Sequence, residues 1–540
     1  MKKGLRVPLL CGTILSLGAT GAVAQVEAEP AADGAAAGVL QLEEIIVTAR
    51  RRAESLQSVP VSVSAISASE LQNNIATDLT KIAELAPQVI IGRQTIGTGA
   101  VIGIRGISST SGDPGLDQSV AVAIDNVVLS RGRIISMATF DLAQVEVLEG
   151  PQALFFGKNS PAGVVSMRSA DPTSRVEGYV RGGYEFVADE RYVEGAISGP
   201  LSDTLKARLA VRGSSMEGWV RNVAGPMADP LHPGVVVPGA NNGKRQPGGD
   251  DFAGRLTLVW NPSDDFDATL KVTGTRQVLN AMNAYAESFC ANGQTVPTAL
   301  GTIPLATADC KKDQVKSESG LAPDYAGNYP YGNNGVPKYV SNGYLTSLTM
   351  NKQFDAMTLT STTGYYSQNF HGTNNADYTP LALLWSAQFE EYDLVTQELR
   401  LSSDLDGPIN FAGGAYYEHA WRKFGNFPDI MHAGPNRAAG NYTTFETLSD
   451  ATTETLSFFG QLRWAITPTL EMAGGARYSH DRKSQDAWNK SVGTTTLALR
   501  PAGSVLASRF KDNNVSPEVT LSWKPVDRQL VYAAYKTGYK

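Results

Sequence analysis

From about Arg175 to the last residue, apolar and polar positions alternate. In "TLKARLAVRG", Leu205, Ala207, Leu209 and Val211 interleave with Lys206, Arg208, Ala210 and Arg212. In "TLSFFGQLRW", Leu456, Phe458, Leu462 and Trp464 share one face, with Ser457, Gln461 and Arg463 on the other. "EVTLSW" sets Val519, Leu521 and Trp523 opposite Thr520 and Ser522. A period of two predicts β-strands with one apolar and one polar face, and the pattern yields about thirteen of them between Arg175 and Lys540. A soluble sandwich gives the same alternation, so the connections must decide. Tight turns at 261–265, 405–410, 466–471 and 524–529 alternate with long polar stretches at 221–250, 277–340, 368–390, 422–452 and 480–512. Short and long connections in turn are the pattern of a transmembrane antiparallel β-barrel, whereas so many long structureless loops count against a compact soluble domain. The last strand, in "QLVYAAYKTGYK", stops mid-pattern on an odd count, so we expect further strands beyond Lys540.

Ahead of the barrel the texture differs. Residues 55–172 are mixed: "VPVSVSAIS" alternates as a strand, and "ATDLTKIAELAPQ" spaces Leu79, Ile82 and Leu85 along one helical face. Apolar runs follow in "AVAIDNVVL" and "DLAQVEVLEG", which together predict a small α+β domain. Lys2, Lys3 and Arg6, an apolar stretch from Val7 to Leu17 and the Ala22-Val23-Ala24 motif mark residues 1–24 as a secretory signal peptide. Residues 25–44, rich in Ala, Gly, Glu and Gln, read as a disordered tether. Between tether and domain stands "EEIIVTARRR": a short β-prone stretch, Ile45, Ile46, Val47, Thr48 and Ala49, with no neighbouring strand to pair with. The Arg50–Arg52 run behind it reads as a solvated charged face.

Composition narrows the class. Charged residues are 18% of the chain, below the roughly 25% of soluble domains. No run of about 18 apolar residues exists, which excludes a helical membrane span but not a barrel. The formal charge of −7 becomes −10 once the signal's Lys2, Lys3 and Arg6 are removed, which argues against a nucleic-acid partner. Of the three cysteines, Cys290 and Cys310 remain in the exported chain. An even count in an oxidising compartment favours a disulfide, with two free loop thiols as the alternative.

Residues 45–171 resemble the TonB-dependent outer-membrane receptors. "IIVTA" looks like their TonB box, and "IRGISS", "AVAIDNVVLSRG" and "VEVLEGPQALFFGKNSPAGVV" look like successive plug motifs. "TQELRLSS", "GGARYSHD" and "SPEVTLSWKP" are similar to the family's barrel segments. The resemblance implies a plug at 55–172 in the lumen of a barrel at 175–540, incomplete here against the family's 22 strands. It departs from the family pattern at Glu149, where arginine is usual, at Ala153, where glycine is usual, and at Asn126, which takes a glycine place. It also explains the orphan strand. The resemblance implies that the periplasmic domain of the energising protein TonB would take Ile45–Ala49 as an added strand, a mode in which main-chain hydrogen bonds supply affinity; an ordinary edge strand of the plug is the alternative.

Arg105 lies inside the plug, and an unpaired buried charge is costly. We expect it, at the Glu149 level, to join ion pairs that hold plug to wall. Cargo contacts are expected from plug loops (Gln94, Thr95, Ser108, Ser109, Asp113) and from loop aromatics such as Tyr285 and Tyr329. "GPQALFFGKNS" is only a superficial phosphate loop: six residues, not four, separate Gly150 from Gly157, and Asn159 replaces the Ser/Thr. The five histidines, His232, His371, His419, His432 and His480, lack metal-ligand spacing. Neither a nucleophile–base pair nor a telling pair of carboxylates is present, so no enzyme and no cofactor are expected. The function implied is import of a scarce solute across the outer membrane, a ferric siderophore first. A glycan, an aromatic compound or cobalamin is the alternative cargo, and a passive porin the alternative class. Outer-membrane lipid and lipopolysaccharide are the surroundings expected.

Overall fold

The computed structural model describes residues 45–540 apart from Ala49, Ala53, 94–98, 111–114, Ala138, 229–233, 240–244, 281–289, 291–292, 300–302, 305–309, Ala322, 431–439, 493–500 and 527–528. The signal peptide, the tether, Ala49, Gln94, Thr95, Asp113 and Tyr285 therefore lie outside the described residues.

The alternating segments form one antiparallel sheet of thirteen strands. In order these are Glu177–Glu185, Glu190–Pro200, Leu205–Met216, Gly248–Ser263, Phe266–Asn280, Lys338–Phe354 and Met357–Asn375. Leu384–Ser403, Ile409–Ile430, Phe445–Thr467, Leu470–Val492, Val505–Trp523 and Val531–Lys536 complete it. Each strand pairs with its sequence neighbours, as in Leu209 opposite Leu256 and Val272 opposite Thr346. One face turns bulky apolar groups outward. Trp260, Phe354, Trp464 and Trp523 are exposed close to the short turns, and Phe252, Tyr344, Tyr365, Trp421 and Tyr478 are exposed farther up. Two aromatic levels around an apolar band are what a bilayer requires of a barrel wall. The inward face is polar, with Arg208, Lys271, Thr273, Glu390, Asp481 and Glu518 buried against the plug and one another. Among the described residues no helix is long and apolar enough to cross a membrane.

Apart from the link 186–189, short connections lie at one end of the sheet and the long insertions 217–247 and 281–337 at the other. Three expected loops are shorter than the sequence suggested. Strands run on to Asn375, Ile430 and Val492 and resume at Leu384, Phe445 and Val505. Beyond the apolar band the strands are covered by the insertions, and buried polar pairs such as Asn374 with Ser386 continue the ladder.

The plug is built on a five-stranded sheet in the order Val63–Ser67, Leu142–Glu149, Gly163–Ser169, Val120–Ile124, Val127–Leu129. A small sheet of Val89–Arg93, Ala100–Ile104 and Ile107–Ser108 lies beside it. The helix Leu79–Glu84 starts where Asp78 accepts the Lys81 N–H, and it buries Leu79 and Ile82. Such a cap satisfies one of the orphan donors of a first turn. Strand Gly163–Ser169 begins on a residue with φ +146°, where a Cβ would lie 2.2 Å from the Leu148 carbonyl oxygen. Only glycine allows the two strands to approach there.

Candidate functional site

The β-prone segment is docked. Ile46–Val47 pairs antiparallel with Glu54–Ser55, as a two-stranded ribbon separate from the plug's main sheet. Val47 is fully buried among Val59, Val61, Phe155 and Phe156, while Ile45 and Ile46 stay exposed. The Thr48 N–H donates to both oxygens of Glu146 at 2.8 and 2.9 Å, and its hydroxyl donates to Oε1 at 2.9 Å. Gln144 Nε2 donates to the Ile46 carbonyl at 2.9 Å. Burial pushes the Glu146 carboxyl above its ordinary pKa, and the Thr48 donors pull the other way.

The three arginines behind the segment are not a solvated face. Arg50 is buried, with Nε 2.8 Å and Nη2 2.5 Å from the Glu54 carboxylate, and Arg52 also pairs with Glu54. Arg51 lies over the Phe156 ring at 4.6 Å. Burial raises the Glu54 pKa, but hydrogen bonds and charge from Arg50 and Arg52 outweigh it and hold the carboxyl at about 2. Arg50 also comes within 4.0 Å of Glu471 on the wall, beside the short turn before Leu470–Val492. The docked segment therefore sits at the short-turn end, which in an outer-membrane barrel faces the periplasm.

A belt of buried charge seats the plug. Arg131 Nη2 donates to Glu390 Oε1 at 2.7 Å and Arg133 Nε to Oε2 at 2.6 Å, all three side chains being less than a tenth exposed. Lys158 reaches Glu418 at 2.8 Å and Asp481 at 3.4 Å. Asp141 receives Arg208 at 2.5 Å, and Asp125 receives Lys271 at 3.1 Å. Each pair joins plug to wall and satisfies a charge that burial alone would penalise. Sequence reasoning missed these groups. The signal present in it was charge inside apolar plug runs: Arg131 and Arg133 around Gly132, and Lys158 in the stretch that mimics a phosphate loop.

Arg105 and Glu149 do not join plug to wall. They pair with each other inside the plug, with Ser62 donating to Glu149 at 2.8 Å. With a carboxylate in place of the usual arginine, the neighbouring Arg105 becomes its local partner. Tyr329 is buried, 4% exposed, and its hydroxyl donates to the carbonyls of Phe427 and Trp385. Ser109 is buried and bonded to Ser119 and Lys540, whereas Ser108 is exposed. In the insertion 281–337 the Sγ atoms of Cys290 and Cys310 are joined, with Cα atoms 5.3 Å apart.

Above the plug, toward the long insertions, lies a chamber of about 190 Å³. Asp117 and Arg131 of the plug line it together with Tyr392, Glu418, Arg422 and Lys483 of the wall. Burial raises the Asp117 pKa, but the charges of Lys483 at 3.0 Å and Arg131 at 3.6 Å hold the carboxyl well below the usual range. The chamber thus presents fixed charges of both signs. Among the described residues, no group of three or more His, Cys, Asp or Glu is placed to hold a metal ion.

A bilayer-facing β-sheet wall around a plug seated by buried ion pairs defines a plugged receptor of the bacterial outer membrane. Residues 55–164 match the family model described as TonB-dependent Receptor Plug Domain. Residues 312–540 match that described as TonB dependent receptor-like, beta-barrel. Together these cover more than half of the sequence, and the chain belongs to the TonB-dependent receptors. It is 23% identical to the pesticin receptor of Yersinia pestis over 503 residues, 92% of this chain and 63% of that protein. The chain thus spans less than two thirds of this curated relative's length. The fold matches the crystal structure of the ferric yersiniabactin uptake receptor FyuA from Yersinia pestis, with a TM-score of 0.67, 19% identity, and coverage of 89% of this chain and 65% of that one. It also matches the siderophore receptor PiuA from Acinetobacter baumannii, with a TM-score of 0.63, 17% identity, and coverage of 90% and 65%.

Proposed function

We propose that this receptor imports a scarce solute, a ferric siderophore complex first, and that TonB energises the import by taking residues 45–49 as an added strand. The observation that carries the reading is the two-ended plug. At its periplasmic end, Ile45–Thr48 is already extended and held by a few removable contacts: one short ribbon, the Thr48 bonds to Glu146 and the Gln144 bond. At its exterior end, fixed charges line a chamber under the long insertions. Arg131 lines that chamber and also binds the seating residue Glu390, so a cargo that competes for Arg131 acts on the plug's seat. A β-prone strand without a permanent sheet suits capture by strand addition. The domain assignment follows: plug at 55–172, barrel from 175, and Ile45–Ala49 as the grip between tether and plug.

Siderophore cargo is supported by two solved structures that match about nine tenths of this chain, the ferric yersiniabactin uptake receptor FyuA and the siderophore receptor PiuA. The test is accumulation of radiolabelled ferric siderophore by iron-starved cells carrying the intact receptor or one lacking residues 45–49. Energised uptake predicts loss of accumulation on deletion. Unchanged accumulation is the result of a passive porin. If abundance of the receptor rises on a carbon source and not under iron starvation, the cargo is a nutrient instead.

A further inference from the structure

The chamber above the plug already holds a carboxylate, and it belongs to the protein. Lys483 Nζ of the wall donates to Asp117 Oδ2 at 3.0 Å, and Arg131 Nη1 of the plug lies 3.6 Å from Oδ1. The Ser130 hydroxyl donates to the same Oδ1 at 3.4 Å. The next residue is an anchor: Gln118 is fully buried, its N–H donates to the Ser130 carbonyl at 2.9 Å, and its Oε1 accepts from the Ile102 N–H at 3.2 Å. Asp117 therefore hangs from a fixed point and can leave the two cations by rotation of its own side chain.

Two features separate this pairing from those that seat the plug. The first is access. In the pairs made by Glu390, Asp141 and Asp125 with Arg131, Arg133, Arg208 and Lys271, no side chain is more than a tenth exposed. Asp117 is 15% and Lys483 35% exposed, and both line the chamber. Ion pairs that border water are weak, because their charges stay partly hydrated, so this one exchanges partners readily. The second is charge balance. Arg131, Arg422 and Lys483 line the chamber against two acids, Asp117 and Glu418. Glu418 is engaged by Lys158 at 2.8 Å. The lining carries one excess positive charge with Asp117 in place and gains another when that carboxylate withdraws.

Asp117 also shows which ligand group fits: a carboxylate set between an ammonium and a guanidinium, both strong partners for it. The space of about 190 Å³ is smaller than the roughly 300–1,000 Å³ that encloses a whole drug-sized ligand, so it takes one arm of a larger cargo. Building on the reading of this chamber as the cargo site, we propose that Asp117 is an internal competitor, displaced from Lys483 and Arg131 by a carboxylate-bearing arm of the cargo. The incoming carboxylate takes over the contact with Arg131, which also binds the seating residue Glu390. A cargo without a negative charge cannot make that exchange.

The test is equilibrium binding of citrate, ferric citrate and a neutral ferric trihydroxamate to the full chain in mild detergent. Heat-modifiable gel mobility first establishes that each variant is folded. Asp117→Asn keeps the shape and removes the competitor, so both citrate forms should bind roughly tenfold tighter, about the worth of one charge-assisted hydrogen bond, and the trihydroxamate should gain nothing. Lys483→Gln should weaken citrate binding by a similar factor. Equal or weaker citrate binding in folded Asp117→Asn overturns the inference, as does an equal gain for the neutral chelate or no citrate binding to any of the three proteins. Iron dependence reads the cargo separately: if citrate and ferric citrate bind equally and both gain in Asp117→Asn, the exchange stands and the siderophore reading fails.

Discussion

Glu390 holds two plug arginines at once, so its removal is the sharpest probe of how the plug is seated. In Glu390→Gln the amide cannot neutralise Arg131 and Arg133, each less than a tenth exposed. Breaking a buried pair by removing one partner costs about 3–5 kcal/mol, because the remaining charge stays buried. Asp117, 3.6 Å from Arg131, retains part of the pairing, which places the loss at the lower end, about 3 kcal/mol. At about 1.4 kcal/mol per tenfold, the equilibrium for plug opening should rise roughly 100-fold. Hydrogen exchange reads this directly at the amides of Val120–Ile124 and Val127–Leu129, the plug strands that lead to Arg131. Exchange there should quicken by about that factor while amides of the wall strands change little. Replacing Arg133 and Glu390 together by methionine should recover the part of the protection lost at Arg133, since a well-packed apolar pair can replace a buried ionic one, while Arg131 keeps only Asp117. Exchange within about threefold of wild type in Glu390→Gln would show that the belt of charge does not seat the plug.

Other predictions concern the docked segment and the plug core. In Glu146→Gln, Thr48 loses a charged acceptor, a change of about 1.5–3 kcal/mol; a spin label at Ile45 should become mobile, and unchanged spectra would contradict the latch. Glu54 has its carboxyl lowered from 4.5 to about 2. Its contribution to the ribbon is thus present above pH 4.5 and lost as pH falls through that window, up to about 3 kcal/mol. Mobility of the same label should rise between pH 4.5 and 2, and Glu54→Gln should abolish that transition. Gly163→Ala sets a Cβ against the Leu148 carbonyl and 2.8 Å from Ile104 Cδ1; it should cost about 1–3 kcal/mol, read as a lower thermal midpoint.

The wall was legible because lipid and lumen impose opposite chemistry on alternate residues, and every strand from Glu177 to Lys536 carries that mark somewhere along its length. Strand ends were not legible, because pairs such as Asn374 with Ser386 lie beyond the band, where burial comes from insertions distant in sequence and not from lipid. The segment Ile45–Ala49 stood out as β-prone and unpaired, but its latch did not: Thr48 and Glu146 are 98 positions apart. Arg131 and Glu390 are 259 apart, and no local pattern links them. Arg105 was assigned to the wall because an arginine within the plug sequence was taken as buried and in need of a distant acid; it is 55% exposed and finds Glu149 within the plug instead. The Arg50–Arg52 run looked solvated because its partner Glu54 gave no periodic signal, although it lies only two to four residues away.

The most direct test of the whole account is a cysteine scan through Ile45, Ile46, Val47, Thr48 and Ala49 against a cysteine in the periplasmic domain of TonB, with disulfide crosslinks scored in living cells before and after cargo is added. Capture by strand addition predicts crosslinks strongest at alternate positions, rising with cargo and collapsing when a neighbouring residue is replaced by proline. No crosslink at any of the five positions, in cells that still accumulate cargo, would contradict it.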